Sequence, residues 1–146
     1  MNEDEKYLLD INGYLVVEQV LTPREVDLCN QAIDHNTHLL EIPERCFEGE
    51  SKALESAVRQ QWHHGMIDWE PPWCEPFRAL MVQARLKPYL AELLGSGYRL
   101  DHGPLLIAMD KGCSGGMLHG NFDNAPYFYR EGKIFTGLCV IEYMLA

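Results

Sequence analysis

A chain of 146 residues with 47% hydrophobic and 23% charged side chains has the length and apolar content for a single core, and one domain is expected. Its formal net charge of -10, with no cluster of Lys and Arg, argues against a nucleic-acid partner, because phosphate contacts need grouped cations. The sequence holds no apolar run near the roughly 18 residues of a membrane span, so no membrane partner is expected either.

The acidic opening Met1-Asn2-Glu3-Asp4-Glu5-Lys6 lacks the apolar centre of a signal peptide. Five cysteines (Cys29, Cys46, Cys74, Cys113 and Cys139) are widely spaced and include no Cys-x-x-Cys. That pattern fits reduced thiols rather than a disulfide framework or a structural zinc site, and the expected location is cytoplasmic.

In chain order, residues 3–11 read as a short helix with Tyr7, Leu8 and Ile11 on one face, broken by Asn12-Gly13. Tyr14-Leu15-Val16-Val17 reads as a short buried strand. A helix start follows at Thr22-Pro23-Arg24-Glu25: Thr22 caps, Pro23 takes the first helical position and Glu25 closes a capping box. This helix is expected to run to about His35, with Val26, Cys29, Ala32 and Ile33 facing inward. Pro43 and Gly49 mark a loop, and residues 52–61 hold helix formers.

Met66 to Phe77 is a connector rich in Pro and Trp that must be ordered by packing its indoles. Two helical pieces are expected over 77–86 and 88–94, the second ended by Gly95. Strand-like apolar segments then cover 98–110 and 134–145. Residues 1–95 are therefore mainly helical and residues 96–146 mainly strand, which predicts an α+β protein with helices bracing an antiparallel sheet. The last residues, Met144-Leu145-Ala146, are apolar and read as mid-strand. The expectation is one incomplete domain, an N-terminal fragment that would be poorly soluble or oligomeric in isolation because of its open strand edges.

The chemistry-bearing stretch is Gly115-Gly116-Met117-Leu118-His119-Gly120-Asn121-Phe122-Asp123, between the two strand segments. A histidine held in this way suits one side of a mononuclear iron site, where two histidines and a carboxylate commonly occupy one octahedral face. A carboxylate two residues on along a strand would share that face. Here the offset falls on Asn121, a neutral amide, while Asp123 lies four residues on. Elsewhere, His63 and His64 are adjacent, and adjacent residues of a helix or strand do not face one ion. Asp101-His102 has the form of a catalytic dyad but no Ser or Cys elbow accompanies it, so it reads as a structural pair or as lining for a pocket mouth. Trp69 and Trp73 read as core or lid packing.

The chain resembles the phytanoyl-CoA dioxygenase family of Fe(II)/2-oxoglutarate-dependent oxygenases. The resemblance rests on Asn12-Gly13-Tyr14-Leu15-Val16-Val17, on Val20-Leu21-Thr22-Pro23-Arg24-Glu25-Val26, on residues 86–95, on residues 98–110 and on Leu118-His119-Gly120, in that order. It implies a double-stranded β-helix of the jelly-roll or cupin kind with helices on one sheet. It also implies Fe(II) as cofactor, 2-oxoglutarate as cosubstrate, and hydroxylation of a small or acyl-type substrate. Carried onto this chain, His119 is the metal ligand, with Asn121 or Asp123 as alternatives for the next position. Lys111 and Tyr143 fall where the cosubstrate pocket is lined, and no catalytic residue is assigned. The distal histidine and the cosubstrate arginine of the family have no counterpart within these residues, so the 146-residue piece alone is expected to be inactive. The other readings are a non-catalytic β-helix scaffold that binds a small molecule or partner without iron, favoured by Asn121, and a halogenase, disfavoured because such relatives carry Ala or Gly at that offset.

Overall fold

The computed structural model describes residues 1–42, 58–113 and 126–145. Among these, four α-helices and four short strands form an α+β arrangement. The described residues fall into two compact units, one built from 1–26, 79–100 and 126–145, the other from 27–42, 58–78 and 101–113.

In the first unit, α1 (Glu3–Asn12) starts on a full capping box. The Asn2 side chain accepts from the Glu5 N–H at 2.8 Å, and Glu5 Oε2 accepts from the Asn2 N–H at 2.7 Å. Gly13 closes the helix in the left-handed region at φ 76°, where a residue without Cβ carries no steric penalty. The expected helix is therefore present, yet Tyr7, Leu8 and Ile11 on it are exposed. α4 (Lys87–Leu94) carries Pro in its first turn and ends at Gly95, as expected. It is tied to α1 by charge. Glu92 accepts from the Met1 amine at 2.7 Å and from Lys6 Nζ at 2.9 Å, and Tyr89 donates to Glu5 at 2.8 Å.

These contacts give the unit a pH window with a definite sign. Hydrogen bonds from the Met1 amine and then Lys6 hold the Glu92 carboxyl below the usual carboxylate range. The Asn2 N–H, then Tyr89, do the same for Glu5. A carboxylate whose folded pKa is depressed adds stability above its unfolded value, and that stability is lost as pH falls through the folded value. Acid titration followed by circular dichroism should show this loss, and Glu92→Gln should make the acid limb shallower. A variant with the parent's acid limb would remove Glu92 from the account.

β3 (Tyr127–Arg130) and β4 (Lys133–Thr136) pair antiparallel in the register Tyr127 to Thr136 and Arg130 to Lys133. Their two-residue turn, Glu131-Gly132, has φ 54° and 76°. Positive φ at both positions is the type I′ geometry that follows strand twist. Glu131 pays a steric cost there that asparagine would not, so Glu131→Asn should raise stability by about 1 kcal/mol in urea unfolding. An unchanged midpoint would mean the turn is not strained. Ile134 is buried on this hairpin, and β4 packs on α4. The Tyr127 hydroxyl donates to Asp10 at 2.7 Å. Burial of the phenol end and this hydrogen bond push its pKa up to about 12; with the residue 42% exposed, the hydrogen bond is the firmer cause.

Two expected strands differ here. Residues 14–17 are not a strand, and Tyr14 and Val16 are 64% and 72% exposed. No described segment pairs with them, and a strand without a neighbour leaves its ladder groups to water. The strand expected over 134–145 stops at Thr136: the Gly137 N–H still donates to the Pro126 carbonyl at 3.1 Å, but Pro126 has no N–H to return and the ladder ends there.

In the second unit, α2 (Pro23–His35) supplies Cys29 and Ala32, 1% and 0% exposed. Its start is the expected capping box: the Thr22 N–H donates to Glu25 Oε2 at 2.7 Å and the Glu25 N–H to Thr22 Oγ1 at 3.3 Å. At its other end, the buried Asn36 side chain donates to the Ala32 carbonyl at 2.8 Å, satisfying a last-turn acceptor. β1 (Gln61–His64) pairs antiparallel with β2 (Leu105–Ala108), with Trp62 opposite Ile107 and His64 opposite Leu105. Trp62 also exchanges both main-chain hydrogen bonds with Glu41, at 2.9 and 2.7 Å, so β1 is bonded on both edges.

The helix expected over 52–61 fails where it is described, because Val58 bridges Cys113 and Gln61 begins β1; residues 52–57 lie outside the described part. The strand expected over 98–110 is confined to β2, because Pro104 has no N–H to give a ladder. The indole connector is ordered as expected. Trp69 is buried, and Trp73 stacks on His35 with centroids 4.2 Å apart. α3 (Glu75–Met81) follows and buries Phe77, which meets Trp69 edge-on at 5.3 Å and 87°.

Candidate functional site

The residues that resemblance assigns to iron, His119, Asn121 and Asp123, lie outside the described residues. The two assigned to the cosubstrate are described. Lys111 is exposed in the turn after β2, in the second unit. Tyr143 belongs to the first unit, half-buried, and its hydroxyl donates to the Leu80 carbonyl at 2.8 Å. Among the described residues no three His, Cys, Asp or Glu side chains form a group able to hold a metal ion.

The chemistry the described residues bring together is at β1 in the second unit. Strand geometry sends successive side chains to opposite faces, and the two adjacent histidines divide accordingly. His63 faces the Trp69 cluster: Trp69 Nε1 donates to His63 Nε2 at 2.9 Å, and His63 Nδ1 lies 3.0 Å from the Leu39 carbonyl. The indole N–H can only donate, so Nε2 must accept; Nδ1 then carries the proton and donates to Leu39. Both nitrogens are committed, and His63 is a structural residue.

Trp62 and His64 share the other face and line a hollow of about 500 Å³. Leu105 from β2 forms another part of its wall, and His102 and Pro104 come from the segment entering that strand. Gly65, at φ 83°, lets the chain turn directly after His64. Trp62 Nε1 donates to Gln60 Oε1 at 2.9 Å, which leaves the face of the indole rather than its N–H as its offering to the hollow. His102 Nδ1 lies 3.0 Å from Asp101 Oδ2. An ionised carboxylate only accepts, so this Nδ1 donates, and in the neutral ring Nε2 is then the acceptor. The pair is 71% and 73% exposed, so the bond orients the ring without adding much stability.

The sequence left Asp101-His102 open as a structural pair or as lining for a pocket mouth; the two side chains do pair, and His102, though not Asp101, lines the hollow. It did not single out Trp62 or His64 as lining. The signal available was the parity of Trp62 and His64 in a strand, hidden because this strand was not expected. Among the described residues no helix is long and apolar enough to cross a membrane, and Cys29, Cys74, Cys113 and Cys139 are not in disulfides. No family model matches the chain, and no curated protein or solved structure matches it either.

Proposed function

We propose that the protein is a cytoplasmic Fe(II)/2-oxoglutarate-dependent dioxygenase of the phytanoyl-CoA dioxygenase type, on a double-stranded β-helix, hydroxylating a small or acyl-type substrate. The observation that carries this reading is the order of the motifs, from Asn12-Gly13 through Thr22-Pro23-Arg24-Glu25 and residues 86–95 to Leu118-His119-Gly120. Two of these stretches have the local structure that their own residues specify. The Thr22–Glu25 box starts α2, and Gly95 ends α4. Iron would be held by His119 together with Asn121 or Asp123. The described residues do not make up the ligand set by themselves. When bound, iron and 2-oxoglutarate supply the oxidising chemistry, in which O2, 2-oxoglutarate and a C–H bond give succinate, CO2 and an alcohol. The exposed ammonium of Lys111 would offer a charge to the cosubstrate carboxylate, whereas the Tyr143 hydroxyl, donating to Leu80, would offer only its ring.

A second reading is a scaffold that binds a small molecule without iron. It is favoured by Asn121, because a neutral amide is a poorer ligand for iron than a carboxylate. Anaerobic Fe(II) titration of the full-length protein separates the two. The oxygenase reading expects one Fe(II) per chain, affinity falling at least tenfold in His119→Ala, and succinate formed from 2-oxoglutarate only with iron present. A protein that ignores iron, or binds it equally without His119, would leave the scaffold.

A further inference from the structure

The hollow on the outer face of β1 has its own chemistry, independent of the iron reading. Its volume of about 500 Å³ lies within the range usual for small-molecule sites. The wall combines the indole of Trp62 with the apolar surfaces of Pro104 and Leu105, and the imidazoles of His64 and His102 stand beside them. Among the described residues no Lys, Arg, Asp or Glu lines it, in a chain with 22 acidic and 12 basic residues. A Cβ built on Gly65 or Gly103 meets nothing within 4 Å, so the space beside both is open.

The hydrogen-bonding character of this wall is set by Asp101. By fixing His102 Nδ1 as the donor, it leaves Nε2 as an acceptor, with no partner among the described residues. His64 likewise has no hydrogen-bond partner among them. The fixed polar atom of this wall, His102 Nε2, accepts, while a neutral His64 ring brings one N–H and one lone pair. A wall of this kind, aromatic and apolar in its body, suits a flat, apolar ligand whose head group both donates and accepts, and an ionised carboxylate fits less well because it has no proton to give His102 Nε2. An apolar ring without a hydroxyl would fill the space but leave the acceptor unmet.

We propose that this hollow binds a small aromatic alcohol, its ring against Trp62, Pro104 and Leu105 and its hydroxyl donated to Nε2 of His102. Trp62 contributes a stacking face, His102 decides which head group is accepted, and Asp101 acts through His102 as a positioning residue. Because His102 stands at an exposed rim, the site is a weak one, with Kd on the order of 1 mM for a one-ring ligand.

The test is an NMR titration at pH 8, above the usual imidazole range. It follows the Trp62 indole N–H, assigned by its loss in Trp62→Phe. The probes are p-cresol, toluene and benzoate. The proposal expects saturable shifts with p-cresol and binding several-fold weaker for toluene and for benzoate. His102→Phe keeps a ring but removes the acceptor, and should weaken p-cresol by about tenfold while sparing toluene. Gly103 is not in the left-handed region, so Gly103→Val can fold, and it should abolish binding of both neutral probes by filling the space. Asp101→Asn should fall between the parent and His102→Phe, with preference for p-cresol over toluene reduced. The proposal is overturned if p-cresol gives no saturable shift, if toluene or benzoate binds as tightly, or if p-cresol keeps its advantage in His102→Phe.

Discussion

Truncating Phe77 to alanine is expected to cost about 3–5 kcal/mol, the usual cost of removing a buried aromatic ring. Phe77 is 4% exposed and presents its edge contact to Trp69, itself 8% exposed. Among the described residues the buried apolar set of this unit is Cys29, Ala32, Met66, Trp69, Cys74 and Phe77. Of these, the cysteines and Ala32 are too small to refill the space of a lost ring by changing rotamer. A typical domain is stable by about 5–15 kcal/mol, so this loss is a large fraction of the total and should lower the unfolding midpoint markedly. Urea unfolding followed by tryptophan emission gives the number. Ile42→Ala is the companion, since Ile42 is 61% exposed and should shift stability by no more than about 0.5 kcal/mol. A loss below 1 kcal/mol in Phe77→Ala would mean that this cluster is not the unit's core.

The second large effect contrasts two neighbouring residues. His63→Phe preserves a ring of similar shape but strands two partners, the Trp69 indole N–H and the Leu39 carbonyl. Each partly buried group left unsatisfied costs about 1–3 kcal/mol, so a loss of about 2–4 kcal/mol is expected. His64→Phe, one position on, removes no hydrogen bond among the described residues and should change stability by about 0.5 kcal/mol or less. Combining His63→Phe with Trp69→Phe should be less than additive, because the second change removes the donor that the first left unpaired. Equal losses in the two histidine variants would overturn the division of β1 into an inner and an outer face.

What was legible in the sequence was local. Thr22, Pro23 and Glu25 settle the start of α2 within four residues, and Gly13 and Gly95 close α1 and α4 through a backbone conformation that glycine adopts freely. Strands depend on partners far along the chain. Tyr14 to Val17 has strand composition and no described neighbour, while Gln61-Trp62-His63-His64 lacks a strand's alternation and yet pairs on both edges. The same contrast governs the site. Asp101 and His102 are adjacent in sequence, and their pairing could be anticipated. His63 gains its role from Leu39, 24 residues before it, and from Trp69, six after, so no inspection of the Trp-His-His run alone reveals that one imidazole is structural and the other not.

That division bears on how this segment can change over evolutionary time. Because β1 holds its frame through His63, positions 62 and 64 can be varied for new ligands while the fold stays anchored from behind. Insertion or deletion of one residue within β1 itself, between Gln61 and His63, is a different kind of event. It would set the strand's parity in conflict with its anchor, turning either an imidazole out of the Trp69 cluster or an indole into it. Variation here should therefore proceed by exchange of side chains at fixed length, with ligand preference drifting and the frame held.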